Sequence, residues 1–116
     1  DVCLSWHPSE ILVLPDGSQL SAKPVFGCGL RVNDGVALTL GFRQGGERCQ
    51  PVGRDRSTSL KKLLQEYAVE PWWRERIPLF YIDQQLVAVG DLWVCQGWQS
   101  GVDEEGLKIT WQTNSL

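Results

Sequence analysis

Eight of the eleven basic residues in this 116-residue chain stand between positions 43 and 76: Arg43, Arg48, Arg54, Arg56, Lys61, Lys62, Arg74 and Arg76. Five Asp or Glu share that span, whereas the rest of the chain carries three basic residues against nine acidic ones. The net charge of −3 therefore hides a local excess of positive charge. Salt screens charges beyond about 8 Å at physiological ionic strength, so the local field outweighs the sum. Positions 43–62 are the densest part, with six basic and two acidic residues. Guanidinium and ammonium groups gathered in this way bind phosphate oxygens. The patch is modest, below that of a strongly DNA-binding domain.

Lys61 and Lys62 open a helical pattern, where the helix dipole is positive and an exposed cation costs about 0.3–1 kcal/mol. A phosphate beside them and the free backbone N–H groups would cancel that mismatch. A solvated helix face screened by Glu66 and Glu70 is the plainer alternative. Gly45-Gly46, between Arg43 and Arg48, either lets the backbone approach a ligand or is a turn that needs glycine; it lacks the spacing of a nucleotide loop. Arg54 and Arg56 flank Asp55 in a Ser- and Thr-containing segment that reads as a loop. Trp72 and Trp73 point about 100° apart on a helical turn, so both cannot enter one core. One is expected under the helix that starts at Leu60. The other is expected beside Arg74 and Arg76, where an exposed indole can stack on a base, although burial is the commoner fate of Trp.

No catalytic constellation emerges from the remaining residues. His7, the only histidine, has no partner that the sequence supports. Cys49 beside Arg48 has surroundings that lower a thiol pKa, but a structural thiol is the better reading. The four cysteines at 3, 28, 49 and 95 form no Cys-x-x-Cys pair, so zinc-ligand spacing is absent and no metal is expected. They permit a disulfide framework. Without a secretion-signal layout at Asp1-Val2-Cys3-Leu4-Ser5-Trp6, free thiols in a reducing cytoplasm are the stronger expectation. That beginning, with no Met, also reads as a piece of something longer. Asp83 and Asp91 interrupt the most apolar stretch, residues 77–94, so no membrane span is expected.

The scaffold reads as mainly antiparallel sheet. Ile11-Leu12-Val13-Leu14 is a short apolar run closed by Pro15-Asp16-Gly17-Ser18, a turn. Leu30-Arg31-Val32 and Val36-Ala37-Leu38-Thr39-Leu40 read as a hairpin across Asn33-Asp34-Gly35. Leu38, Leu40 and Phe42 share one face. Leu60, Leu63, Leu64 and Tyr67 form one apolar stripe at helical spacing, capped by Ser59 or Ser57 and ending near Ala68. Pro71 can open a further helical turn through Arg76, closed by Pro78. Leu79-Phe80-Tyr81-Ile82 and Leu86-Val87-Ala88-Val89 flank a turn at residues 83–85. Leu92-Trp93-Val94 follows, and Leu107, Ile109 and Trp111 alternate with polar residues at the end. The expected fold class is α+β: an antiparallel β sandwich or half-open barrel with one short amphipathic helix and a following helical turn.

Residues 42–89 resemble the C-terminal domain of bacterial tRNA(Ile)-lysidine synthetase. The resemblance rests on Arg43, Gly46-Glu47-Arg48, Lys61-Lys62, Pro71-Trp72-Trp73-Arg74, Pro78 and the apolar hairpin of residues 79–89. Glu47 stands where the family more often has Asp. The resemblance implies one domain, a C-terminal fragment, with residues 1–41 as a β-rich lead-in, 42–89 as the matching core and 90–116 as terminal strands. It implies a parent ligase that uses ATP and Mg to join lysine to the wobble cytidine of tRNA(Ile), in chemistry that this segment does not perform alone. The segment's implied role is to bind the acceptor stem of that tRNA through Arg43, Arg48, Lys61, Lys62 and Arg74, with Arg54, Arg56 and Arg76 as a second tier. A protein-interaction or interdomain scaffold module without RNA contact is the alternative.

Overall fold

In the computed structural model, residues 4–32 and 36–113 are described. Ten strands and two short helices follow one another in the order β1 (Leu4–Trp6), β2 (Leu12–Val13), β3 (Gln19–Phe26), β4 (Leu38–Gly41), β5 (Arg48–Cys49), β6 (Thr58–Ser59), α1 (Leu60–Glu66), α2 (Pro71–Arg74), β7 (Leu79–Ile82), β8 (Gln85–Val89), β9 (Trp93–Val94) and β10 (Glu105–Gln112). They build a five-stranded sheet in the order β1-β4-β7-β8-β9, a three-stranded sheet β10-β3-β2 and a two-stranded ribbon β5-β6. Every pairing is antiparallel. The sheets do not close into a barrel, and the α+β expectation of an antiparallel architecture with few short helices holds.

The two larger sheets share a core. Trp6, Leu38, Leu40, Phe80, Val87 and Ala88 from the first meet Leu20 and Ile109 from the second, with Leu14 and Leu30 from the connections. The alternation at the end of the chain is the cause on one side: Ile109 is buried while Lys108 and Thr110 are exposed. A second cluster joins α1 to the first sheet through Leu60, Leu64, Ile77, Leu79 and Val89. Leu60, Leu63 and Leu64 are buried as the stripe predicts. Tyr67 instead becomes the C-cap, half exposed, with its ring 4.7 Å from that of Trp93.

Three expectations change in the folded chain. The Asn33-Asp34-Gly35 turn lies outside the described residues, and the segments on either side of it take distant partners. Leu30 bridges Gln99 and Leu107, while β4 lies between β1 and β7. Strand β3 was not foreseen, because Lys23 and Pro24 break its apolar pattern. Pro24 is tolerated because β2 reaches only Gln19 and Leu20, leaving the Pro24 end with β10 as its one strand neighbour. The β7–β8 turn is shorter than predicted: Asp83 and Gln84 alone form it, both at positive φ, and Gln85 already belongs to β8.

Candidate nucleic-acid interface

The loop from β4 to β5 carries Arg43 and Arg48 around Gly45 and Gly46, which adopt φ of +114° and +86°. Those angles favour glycine, so the pair is required by the turn itself. Glu47 folds back into the loop, accepting from the backbone N–H groups of Gln44 at 2.8 Å and Gly45 at 3.0 Å. Burial pushes its carboxyl pKa up, but the N–H groups of Gln44, Glu47 and Gly45 and the charge of Arg43 hold it below the ordinary value. The loop thus spends its N–H groups on its own carboxylate and leaves the arginine side chains as its cationic groups. Arg43 is half-buried and lines a hollow of about 130 Å³ with Gln44, Gly45 and Glu75, which brings the end of α2 beside the loop.

Ribbon β5–β6 carries the charge onward. Arg48 pairs in register with Ser59, and the Leu60 N–H donates to the Glu47 carbonyl at 2.9 Å. Arg48 is exposed, and its guanidinium donates to the Ser57 carbonyl at 3.2 Å. Ser59 caps α1, its Oγ accepting from the Lys62 N–H at 3.2 Å. The Leu60 and Lys62 N–H groups at the helix start are thus already bonded within the chain. Lys61 and Lys62 are exposed, and the first turn of α1 holds no acidic residue. Glu66, a screening partner in the plainer reading of this helix, is 3.0 Å from Arg54 instead.

The other predicted residues divide. Arg74 is half-buried, and its Nε donates to the Val69 carbonyl at 2.8 Å, bracing the link between α1 and α2. Arg54 is held by Glu66 and lies 5.9 Å from the centre of the Tyr67 ring. Arg56 is exposed. Arg76 grips Asp16 through Nε at 3.1 Å and Nη2 at 2.8 Å, and covers Trp73 at 4.7 Å. Trp73 meets Trp111 of β10 edge-on at 5.8 Å, and Trp72 is 64% exposed. The fold therefore gathers Arg43, Arg48, Lys61 and Lys62 along one connected stretch, with Arg74 and Arg76 partly consumed in fastening α2. Glu47, which orders the loop, and Ser57, which holds Arg48, were read from sequence only as a motif position and an alternative helix cap. The Gly-Gly-Glu step was the signal for the first role; nothing local marks the second.

Among the described residues, no group of three or more His, Cys, Asp or Glu could hold a metal ion. None of the described helices is long and apolar enough to cross a membrane.

Comparison with known proteins agrees with this architecture. The chain is 40% identical over 108 residues to tRNA(Ile)-lysidine synthase of Coxiella burnetii, covering 91% of the chain and 24% of that protein. It is 35% identical over 108 residues to tRNA(Ile)-lysidine synthase of Xanthomonas campestris pv. campestris strain 8004, covering 93% and 24%. The chain thus spans about a quarter of the length of these curated relatives. A crystal structure of a TilS C-terminal domain superposes with a TM-score of 0.72 at 14% identity, covering 99% of this chain and 100% of that one, and so shares its fold. Residues 38–111 match the family model described as the TilS substrate C-terminal domain, and the chain belongs to that family.

Proposed function

We propose that this segment binds the acceptor stem of tRNA(Ile) on behalf of a ligase that attaches lysine to the wobble cytidine. The observation that carries the reading is the basic stretch Arg43, Arg48, Lys61 and Lys62, none of which forms an ion pair with a carboxylate among the described residues. Glu66 is taken by Arg54, and Glu47 accepts from loop N–H groups while its charge also faces Arg43; Glu75 lines the hollow beside Arg43. Arg74 extends the surface through its remaining guanidinium nitrogens, and Arg56, Arg54 and Arg76 border it. In this reading ATP and Mg act in the remainder of the parent enzyme.

An acceptor stem is A-form, with a major groove too narrow for side chains, so phosphates, 2′-hydroxyls and shape carry recognition. Four to six phosphate contacts correspond to a log–log salt slope on the order of −3 to −5. Such contacts orient a tRNA, while tight binding needs a second site on the same tRNA elsewhere in the enzyme. The test is titration of the chain with tRNA(Ile) and an elongator methionine tRNA at several salt concentrations. Binding that weakens along that slope supports the proposal, and a preference for tRNA(Ile) adds recognition. Absence of binding at low salt overturns it and favours a scaffold role, for which the exposed Trp72 is the natural anchor.

A further inference from the structure

Behind the basic stretch, two thiols face each other. Cys49 ends β5 and Cys95 follows β9, yet their Sγ atoms lie 2.7 Å apart. Both are buried, and both are free thiols. The Trp93 indole N–H donates to Cys49 Sγ at 3.2 Å. Either thiol can donate its S–H across the pair, and the indole N–H gives the Cys49 sulfur a second hydrogen bond. The Cys95 hydrogen bond, assisted by the Trp93 bond and opposed by burial, holds the Cys49 thiol below its ordinary pKa. The same Cys49 contact, with burial and the facing charge, pushes Cys95 far up. Of the two sulfurs, Cys49 is therefore the one that releases its proton more readily.

The backbone keeps these sulfurs together. Val52 N–H donates to the Val94 carbonyl at 3.1 Å and Gln96 N–H to the Gln50 carbonyl at 2.6 Å, while Pro51 bridges Cys95. A sulfur–sulfur bond of about 2.0 Å then needs a closing movement of under ~1 Å. Disulfides in reducing compartments, where they occur, are usually transient and serve redox sensing or catalysis.

We propose that Cys49 and Cys95 form a redox modification site at which a peroxide converts the two thiols into a reversible intramolecular disulfide. The Cys49 thiolate gives an electron pair to one peroxide oxygen; the O–O bond breaks, hydroxide leaves, and Cys49 becomes a sulfenic acid. The Cys95 sulfur then attacks the Cys49 sulfur, the S–O bond breaks, and water leaves with the Cys95 proton. The hydroxide recovers the proton that Cys49 had shed. One peroxide and two thiols yield one disulfide and two waters. The bond ties β5, and with it Arg48 and the start of α1, covalently to the end of β9. A small thiol reverses it by exchange. The site does not depend on the RNA reading.

The test treats the native chain with hydrogen peroxide, counts thiols, and maps linkages by proteolysis without reductant and mass spectrometry. A linked peptide pair containing Cys49 and Cys95, released by dithiothreitol, is the expected result. In Cys95→Ser, a sulfenic acid persists on Cys49 and is trapped by dimedone; in Cys49→Ser, Cys95 stays a thiol. The linkage in the wild-type chain decides the matter even where a variant fails to fold. The proposal is overturned if peroxide consumes the exposed Cys28 while Cys49 and Cys95 remain thiols, or if Cys49 passes to sulfinic acid with no linked peptide.

Discussion

Lys61 and Lys62 set a local conflict that the fold does not relieve. Two cations stand at the positive end of α1, and the helix offers no acidic residue in its first turn. At this scale stability and binding pull in opposite directions. Lys61→Glu with Lys62→Glu is expected to hold or raise the unfolding free energy by about 0.3–1 kcal/mol, since carboxylates suit a helix start. The same change is expected to weaken tRNA binding about tenfold or more, a loss of at least ~1.4 kcal/mol. Denaturant titration and a binding isotherm on the same protein check both. Equal losses in the two would make these lysines structural. Most of this was legible in the sequence, because a helix start and a charge are local properties. The diversion of Glu66 to Arg54 was not, because it depends on where the 52–57 loop is folded.

The short helix α2 is held by contacts that no local pattern announces. Arg76, just beyond it, reaches Asp16 in the turn after β2, sixty positions away, and roofs Trp73, which in turn meets Trp111. Burial raises the Asp16 pKa, but hydrogen bonds from the Ser18 hydroxyl and N–H, and then the bond and charge of Arg76, bring it below the ordinary value. A folded-state pKa below the unfolded one gives stability that is present above the unfolded value and is lost as pH falls through the folded one. Both partners are partly exposed, with side-chain exposures of 39% for Arg76 and 28% for Asp16, so solvent screens the pair. A double-mutant cycle with Asp16→Asn and Arg76→Gln is expected to give a coupling of about 0.5–1 kcal/mol at neutral pH. That coupling should fade in acid as Asp16 protonates, and shrink in high salt. A coupling unchanged by either condition would mean that packing on Trp73, not charge, holds the clamp.

At the scale of the whole molecule, the two larger sheets are not independent units. Phe80 of the first and Leu20 of the second belong to one buried cluster, both fully enclosed. Phe80→Ala is expected to cost about 3–5 kcal/mol and Leu20→Ala about 2–5 kcal/mol. Each should lower a single unfolding transition, with far-UV dichroism and Trp fluorescence changing together. Two separated transitions, with each substitution moving only one, would show that the sheets unfold apart. The RNA reading depends on this unity, since β5, β6 and α1 are carried on the first sheet through the Leu60–Val89 cluster.

By itself the sequence determined the features written within about one turn or one strand. These are the Leu60-Leu63-Leu64 stripe with its Ser59 cap, the Pro71 start of α2, the hairpin of β7 and β8, the alternation of β10, and the concentration of positive charge at residues 43–62. Periodicity, breakers and charge counts act between near neighbours, so a linear reading finds them. Tertiary structure alone decided that Leu30 bridges Leu107, that β3 is a strand in spite of Pro24, that Arg76 is spent on Asp16, and that Cys49 lies against Cys95 rather than answering to Arg48. Each of these joins segments far apart in the chain. Such a pairing forms only when shared burial outweighs the entropy of closing a long loop, a balance that no short window of residues contains.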